Sequence, residues 1–301
     1  MPEINRYESI FYDNNKIVLK YSNQGNSFKV SSLSEFSRPV KGAGFAIKFV
    51  TTGSERYTVN KQQYHIAANS YLLLNGEHDV IVDIESKKNV RGICINISTN
   101  YIEQAVASFI RPDTAFPDTG LASFFYTDQF LENHYQAART LLGSKMETIS
   151  KKIQDKTFSA TDINTDLFLE LAENLVSDQA GVFKQLQTIP AIKTATKKEL
   201  YRRLLKAKEF IDTNYTFRLT TEQIAKEAMI SEYHFFRLFK KVFGKSPHQY
   251  ILQKRLHAAC TPLRDKEKIA EVALNCGFTD VYTFSKAFKK HFGIPPSSFA
   301  G

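Results

Sequence analysis

The stretches IAKEAMISEYHFFRLFKKVFGKSP (Ile224–Pro247) and IAEVALNCGFTDVYTFSKAFKKHFGIPP (Ile269–Pro296) are two copies of one unit. At an offset of 49 residues, Phe235, Phe239, Lys240, Lys241, Phe243, Gly244 and Pro247 fall on Phe284, Phe288, Lys289, Lys290, Phe292, Gly293 and Pro296. Arg237 falls on Lys286, and Tyr250 on Phe299. Upstream, IAKEA falls on IAEVA at an offset of 45, which places four extra residues in the turn of the second copy. Two copies make no solenoid array.

In the first copy, Thr220 or Thr221 is placed to cap a short helix, TEQIAKEA, with Ile224 and Ala225 facing inward. A tight turn at Met229–Ile230 follows, and Ser231 is placed to cap the next helix. There Phe235, Leu238, Phe239, Val242 and Phe243 recur at i, i+3, i+4, i+7 and i+8, one apolar stripe, and Gly244 ends it. Tyr233, His234, Arg237, Lys240 and Lys241 are left on the other face. In the second copy the supporting helix runs Lys268–Asn275, Gly277 supplies the turn, and Asp280 caps. Phe284, Ala287, Phe288 and Phe292 point inward, and Tyr282, Thr283, Lys286, Lys289 and Lys290 outward. A short helix, a tight turn and a second helix with a basic outer face is a helix-turn-helix. Between the copies Pro247 opens a connecting helix, HQYILQKRLHAAC, expected to stop near Thr261 or to kink there because Pro262 lacks an amide donor.

Charge follows the same division. The net charge is +9, yet residues 191–301 hold 21 Lys+Arg against 10 Asp+Glu, and residues 1–190 carry a net charge of −2. A segment this basic suits a polyanion, because each cation near a phosphate releases condensed counterions.

The second copy resembles the second helix-turn-helix signature of AraC/XylS-type transcription regulators at Ile269, Ala270, Gly277, Phe278, Phe284, Phe288, Lys289, Phe292, Gly293 and Pro296. SEYHFFRLFKKVFGKSPHQYI is similar to the family's first recognition helix and the start of its linker helix, and KKELYRRLLKAKEFIDTNY would be the domain's first helix. The resemblance covers residues 196–301. It implies two recognition helices in successive major grooves of double-stranded DNA, and a sequence-specific regulator, leaning towards an activator, with RNA polymerase as partner. Base-reading positions would hold Tyr233 and Arg237, then Tyr282 and Lys286, with His234, Phe236, Thr283 and Ser285 secondary. Lys240, Lys241, Lys289 and Lys290 are expected at phosphates.

The N-terminal part reads differently. Residues 28–97 alternate as short strands: Phe45, Ile47 and Phe49 share a face, as do Ile93, Ile95 and Ile97. Gly53–Ser54 and Asn60–Lys61 are turn signals, and Asn75–Gly76 signals a hairpin. The pattern predicts a small barrel or sandwich, and the order of turns resembles the cupin-like regulatory domain, a small β-barrel, found ahead of AraC-type DNA-binding segments. Two helices are expected next. The first, capped by Thr127, would have the stripe Leu131, Tyr135, Ala138, Leu142, Met146, Ile149, Ile153. The second, behind a Ser159 cap, would have Phe168, Leu171, Ala172, Leu175, Gln179, Val182, Phe183, Leu186. In the resembling family such helices, here within 128–187, often make the homodimer contact. The fold class is therefore α+β with two domains: residues 1–187 cupin-like with a helical hairpin, 188–198 a linker around Pro190, and 199–301 the all-α double helix-turn-helix.

Polar strand residues Arg38, Lys48, Tyr57 and Tyr64 are candidates for binding a small-molecule effector. His65 and His78 stand thirteen apart with no His-x-His, so no metal triad is visible, and no cofactor is expected. No nucleophile elbow, phosphate loop or HExxH occurs, so the chain does not read as an enzyme. Cys94, Cys260 and Cys276, an odd number without a CxxC pair, read as reduced thiols. No run approaches the ~20 apolar residues of a membrane span, and MPEINRYESIFYD is no export signal, so a cytoplasmic location is expected. Two rivals stand beside the regulator: a metal cupin enzyme fused to a DNA-binding module, and a non-specific architectural DNA protein.

Overall fold

The computed structural model describes residues 10–12, 15–23, 25–41, 44–76, 79–110 and 120–299. The chain divides into two compact units, Met1–Phe183 and Lys184–Gly301.

The first unit is an antiparallel sheet with helices. Its strands are β1 (Ile10–Tyr12), β2 (Asn15–Asn23), β3 (Asn26–Lys41), β4 (Phe45–Thr52), β5 (Ser54–Val59), β6 (Gln62–Ala67), β7 (Ser70–Asn75), β8 (Asp79–Ile97) and β9 (Asn133–Gln136). The pairing path is β1-β2-β3-β8-β4-β7-β9, with β5 on β8 and β6 on β5. The long strand β8 serves two neighbourhoods. Its first half, Val80–Asp83, pairs with Arg56–Val59 of β5, and its second half, Gly92–Ile97, with Phe45–Val50 of β4. Both halves lie against β3. Ala46, Val50, Leu72 and Leu74 belong to one buried cluster with Tyr57, Val59, Tyr64, Ile66, Val80, Val82 and Ile84.

Local signals worked where the turn is local. Asn60 and Lys61 take positive φ (49° and 69°) between paired Val59 and Gln62, a two-residue hairpin loop. Asn75–Gly76 did not make the expected hairpin. Gly76 turns (φ 80°), but β7 pairs with β4 and β9 while β8 pairs with β3, β4 and β5. Strand–strand burial across the sheet outweighs adjacency in sequence.

The helices of this unit are α1 (Thr99–Phe109), α2 (Leu121–Tyr126), α3 (Leu141–Gln154) and α4 (Thr165–Thr188), whose last turn lies beyond Phe183. The helix expected from Thr127 begins only at Leu141: Tyr135 sits in β9, opposite Tyr71 and stacked on it at 5.4 Å between ring centroids. Ladder bonds and that aromatic pair override the helical spacing. Thr140 caps α3 by accepting from the Gly143 amide at 3.0 Å, and Asp178 of α4 accepts from the Leu141 and Leu142 amides at 3.0 and 2.9 Å. With Lys145–Glu170 paired at 2.5 Å, α3 and α4 form the expected hairpin of helices. The α4 stripe from Phe168 to Leu186 is buried throughout.

The second unit is helical: α5 (Thr194–Asn214), α6 (Thr221–Glu227), α7 (Glu232–Phe243), α8 (Pro247–Arg264), α9 (Ile269–Asn275), α10 (Val281–Phe292) and α11 (Pro296–Phe299). The segment 188–198 is helical at both ends, since α4 reaches Thr188 and α5 starts at Thr194. The helix does not stop near Thr261: α8 runs past Pro262 to Arg264. The proline lies in the last turn, where Leu263 is fully buried beside Leu256 and Ala259, and its own carbonyl accepts from the Glu267 amide at 3.0 Å.

Candidate nucleic-acid interface

The twofold repeat of sequence is a twofold repeat of structure, and the structure revises its register. Equivalent turn bonds run Met229 N–H to Lys226 O (3.0 Å) and Gly277 N–H to Leu274 O (2.9 Å), then Ile230 N–H to Ala225 O (3.1 Å) and Phe278 N–H to Ala273 O (3.0 Å). Buried Ile224 and Ala225 therefore match buried Val272 and Ala273, 48 residues on, and the second copy has one extra residue before its recognition helix rather than four. The offset of 45 slipped the short helix by three residues, close to one turn, which leaves apolar residues on the same face.

The second helices of the two units, α7 and α10, are built alike. In α7 the rings Phe235–Phe239 and Phe239–Phe243 lie 5.4 and 4.7 Å apart, with Tyr250 at 5.8 Å from Phe239. In α10, Phe284–Phe288 and Phe288–Phe292 lie 5.5 and 4.5 Å apart, with Phe299 at 5.3 Å from Phe288. Each aromatic ladder takes up the inner face and leaves the other to solvent. Gly244 (φ 70°) and Gly293 (φ 82°) end both helices in the left-handed conformation. Ser231 holds the first N-cap position without a side-chain cap bond, whereas Asp280 accepts from the Thr283 amide at 2.7 Å.

On the outer face of α7, Tyr233 is 73% exposed, and His234, Arg237, Lys240 and Lys241 are exposed. Arg237 Nη1 donates to the Tyr233 hydroxyl at 3.3 Å and its guanidinium lies 5.5 Å from that ring, so the two side chains form one polar, aromatic ridge. On α10, Tyr282 is 77% exposed, and Thr283, Lys286, Lys289 and Lys290 are exposed. The Thr283 hydroxyl donates to Asp280 Oδ2 at 2.9 Å and so serves the helix cap. Those hydrogen bonds hold the Asp280 carboxyl below the ordinary range. Positive charge crowds a neighbouring titration: His257 on α8 is held below its ordinary value by partial burial first, then by the charges of His291, Lys245 and Lys254.

Residues the sequence reading passed over hold these helices in place. Asp212 of α5, its side chain 3% exposed, accepts from Tyr250 at 2.8 Å and pairs with Lys254 at 3.0 Å, which clamps α8 to α5. Arg255 of α8 donates to the Tyr215 and Phe217 carbonyls at 2.7 and 2.8 Å. A Cβ on Gly277 would lie 2.4 Å from the Thr216 carbonyl oxygen, so the second turn touches the same loop that Arg255 grips. Arg203 of α5 donates to the Met229 carbonyl at 3.1 Å and steadies the first turn. Each of these contacts joins segments distant in sequence, with no periodicity to reveal it.

In the sheet unit, three of the four effector candidates turn inward: Lys48, Tyr57 and Tyr64 are 5%, 4% and 7% exposed, and Tyr57 stands opposite Tyr64. Arg38 is exposed on β3, in the cross-strand row that runs through Val82 to Tyr57 and Tyr64. Glu55, which the sequence reading did not single out, is buried with them, and its carboxyl accepts from the Tyr57 hydroxyl. Burial raises the Glu55 carboxyl above its ordinary value, against the lowering effect of Tyr57 and Lys48. Glu55 and Tyr57 share a face at i and i+2 of β5, a signal usable only once the register is known. His65 is exposed opposite Arg56, and His78 lies outside the described residues. Among the described residues no group of three or more His, Cys, Asp or Glu is placed to hold a metal, and no helix is long and apolar enough to cross a membrane.

A family described as Helix-turn-helix domain matches residues 224–301. The chain is 37% identical over 94 residues to the lactose operon transcription activator of Staphylococcus xylosus, a match covering 31% of this chain and 34% of that protein. Over 256 residues it is 26% identical to the Msm operon regulatory protein of Streptococcus mutans, covering 85% of this chain and 83% of that one. Among solved structures, a transcriptional regulator of the AraC-type DNA-binding domain-containing proteins from Chromobacterium violaceum is 31% identical over 33% of this chain and 90% of its own, with a TM-score of 0.32.

Proposed function

The chain belongs to the AraC/XylS-type transcription regulators, and from that premise we propose that it is a sequence-specific transcription activator that reads double-stranded DNA through α7 and α10. The observation that carries the reading is the matched pair of exposed tyrosine–cation faces on two recognition helices of the same internal construction. Each inner face is spent on an aromatic ladder, and the outer faces are free of that duty.

Tyr233, Arg237, Tyr282 and Lys286 are assigned to base edges, with Arg237 suited to a guanine in two-point contact. His234 and Thr283 flank them, the latter mainly through its methyl because its hydroxyl serves Asp280. Lys241 and Lys290 are assigned to phosphates. The sheet unit is read as the cupin-like regulatory domain, its strands wrapped into a small closed barrel around Lys48, Tyr57 and Tyr64. A small effector bound there acts only through different affinity for two arrangements of the protein. A homodimer would use the outer faces of residues 128–187, because the α4 stripe is consumed inside the chain. RNA polymerase is the partner, the cytoplasm the location, and no enzymatic activity is assigned.

In vitro selection of sites from random duplexes tests the reading. Two recognition helices in successive major grooves predict a site with two contacted blocks about 10–10.5 base pairs apart. The selected site should outcompete random DNA by ~10³ or more. Equal competition by random DNA would make this an architectural DNA protein instead. Stoichiometric metal lost on His65→Ala would favour the fused enzyme.

A further inference from the structure

Lys48 and Cys94 face each other directly across the β4–β8 ladder, 46 residues apart in sequence. Lys48 is 5% exposed, between Ala46 and Val50 of the apolar interior. An ammonium buried this deeply ordinarily collects several oxygen acceptors. Here, among the described residues, the hydrogen-bond partner of Lys48 Nζ is Cys94 Sγ, at 2.7 Å. That is shorter than the usual N–H···O separation of about 2.9–3.0 Å, although sulfur is the larger atom. The two groups are therefore close enough for one added oxygen atom to bridge them with little movement of either side chain. Cys94 is only half-buried, so a small oxidant can reach it.

We propose that Lys48 and Cys94 form a reversible covalent cross-link in which one oxygen atom bridges Nζ to Sγ, written by a peroxide and erased by thiols. One N–O bond and one O–S bond form, and one N–H bond and the S–H bond break. Nitrogen and sulfur each lose two electrons. The neutral amine, the thiol and two molecules of hydrogen peroxide give the link and three molecules of water. Four small-molecule thiols reverse it, restoring amine and thiol with one water and two disulfides. Glu55, whose charge acts on Lys48, offers an acceptor for the ammonium proton that must leave first. Gly92 leaves room for that carboxyl, since a Cβ there would lie 2.8 Å from Glu55 Oε1. The first oxidation product of a thiol, the sulfenic acid, is the natural precursor on the sulfur side. Because β4 and β8 are already paired, the link forms without rearranging the ladder and removes a buried positive charge.

Peptide mapping of the full wild-type chain tests this. The protein is treated with hydrogen peroxide, its free thiols are alkylated under denaturing conditions, and it is digested and analysed by mass spectrometry with and without dithiothreitol. The expected product joins the peptide containing Lys48 to the peptide containing Cys94. Its mass equals their sum plus one oxygen minus two hydrogens, and it disappears with dithiothreitol. Alkylation at Cys94 falls in parallel, while Cys260 and Cys276 form no lysine-linked product. Lys48→Arg and Cys94→Ser should each abolish the joined peptide, and since the decisive measurement uses the wild-type chain, it stands whether or not these variants fold. A free Lys48 peptide beside sulfenic, sulfinic or unmodified Cys94 would overturn the proposal.

Discussion

Arg237 and Tyr233 stand one turn apart on α7 and touch each other, so the guanidinium is held over a tyrosine ring before any DNA arrives. Preorganisation of this kind lowers the side-chain entropy lost in a two-point contact to a base. Arg237→Ala is expected to relax selection at one base position of the first half-site and to cost about 1–3 kcal/mol at that position alone. Repeating the site selection with the variant checks it, and an unchanged base preference would remove Arg237 from the base readers. Asp280 carries a second expectation. Its folded-state carboxyl is held below the ordinary value by hydrogen bonds to Thr283 first and Thr279 next. A depressed carboxyl stabilises the fold above its unfolded pKa of about 3.9, and that contribution is lost as pH falls through the folded value. Asp280→Ala should therefore melt below wild type at neutral pH, with the two melting curves converging in acid. A gap that persists unchanged in acid would refute the cap as its source. Both residues were legible in sequence, because polar-face position and a cap before a helix are local features. Asp212 and Arg255 were not, since their partners lie about one helix-turn-helix away in the chain.

At the scale of elements, Pro262 is the instructive case. Helix α8 tolerates it in the final turn, where Leu263 is held in the core. The missing amide is still a lost bond. Pro262→Ala should raise the unfolding free energy by up to about 3 kcal/mol in urea titrations of the full chain. No gain would mean that the local backbone has already absorbed the loss. The same helix rules that placed α7 and α10 correctly misplaced the start of α3, where Tyr135 obeys a helical spacing yet joins β7. Apolar spacing reports which face is inward, and a competing strand can satisfy the same burial. The supporting helix of the second copy slipped for a related reason: three residues are nearly one turn, and only the turn hydrogen bonds distinguish the registers.

For the whole molecule, the net charge of +9 and its concentration beyond residue 190 bear on affinity rather than on fold. Lys290→Ala should weaken binding to all sequences alike and reduce the slope of log affinity against log salt by about 1. Binding measured across a salt series checks it, and an unchanged slope would take Lys290 off the phosphate list. The division into a strand-rich part and a basic helical part, and the two amphipathic helices α7 and α10 with their exposed faces, were determined by sequence alone. Helical stripes, caps and charge are set by residues within a few positions of one another. Tertiary structure decided the strand partners, the fate of Asn75–Gly76, the burial of Glu55 and the meeting of Lys48 with Cys94. A strand's side chains alternate with a period of two whatever its neighbour, so the strand placed beside it depends on pairings between segments far apart in the chain.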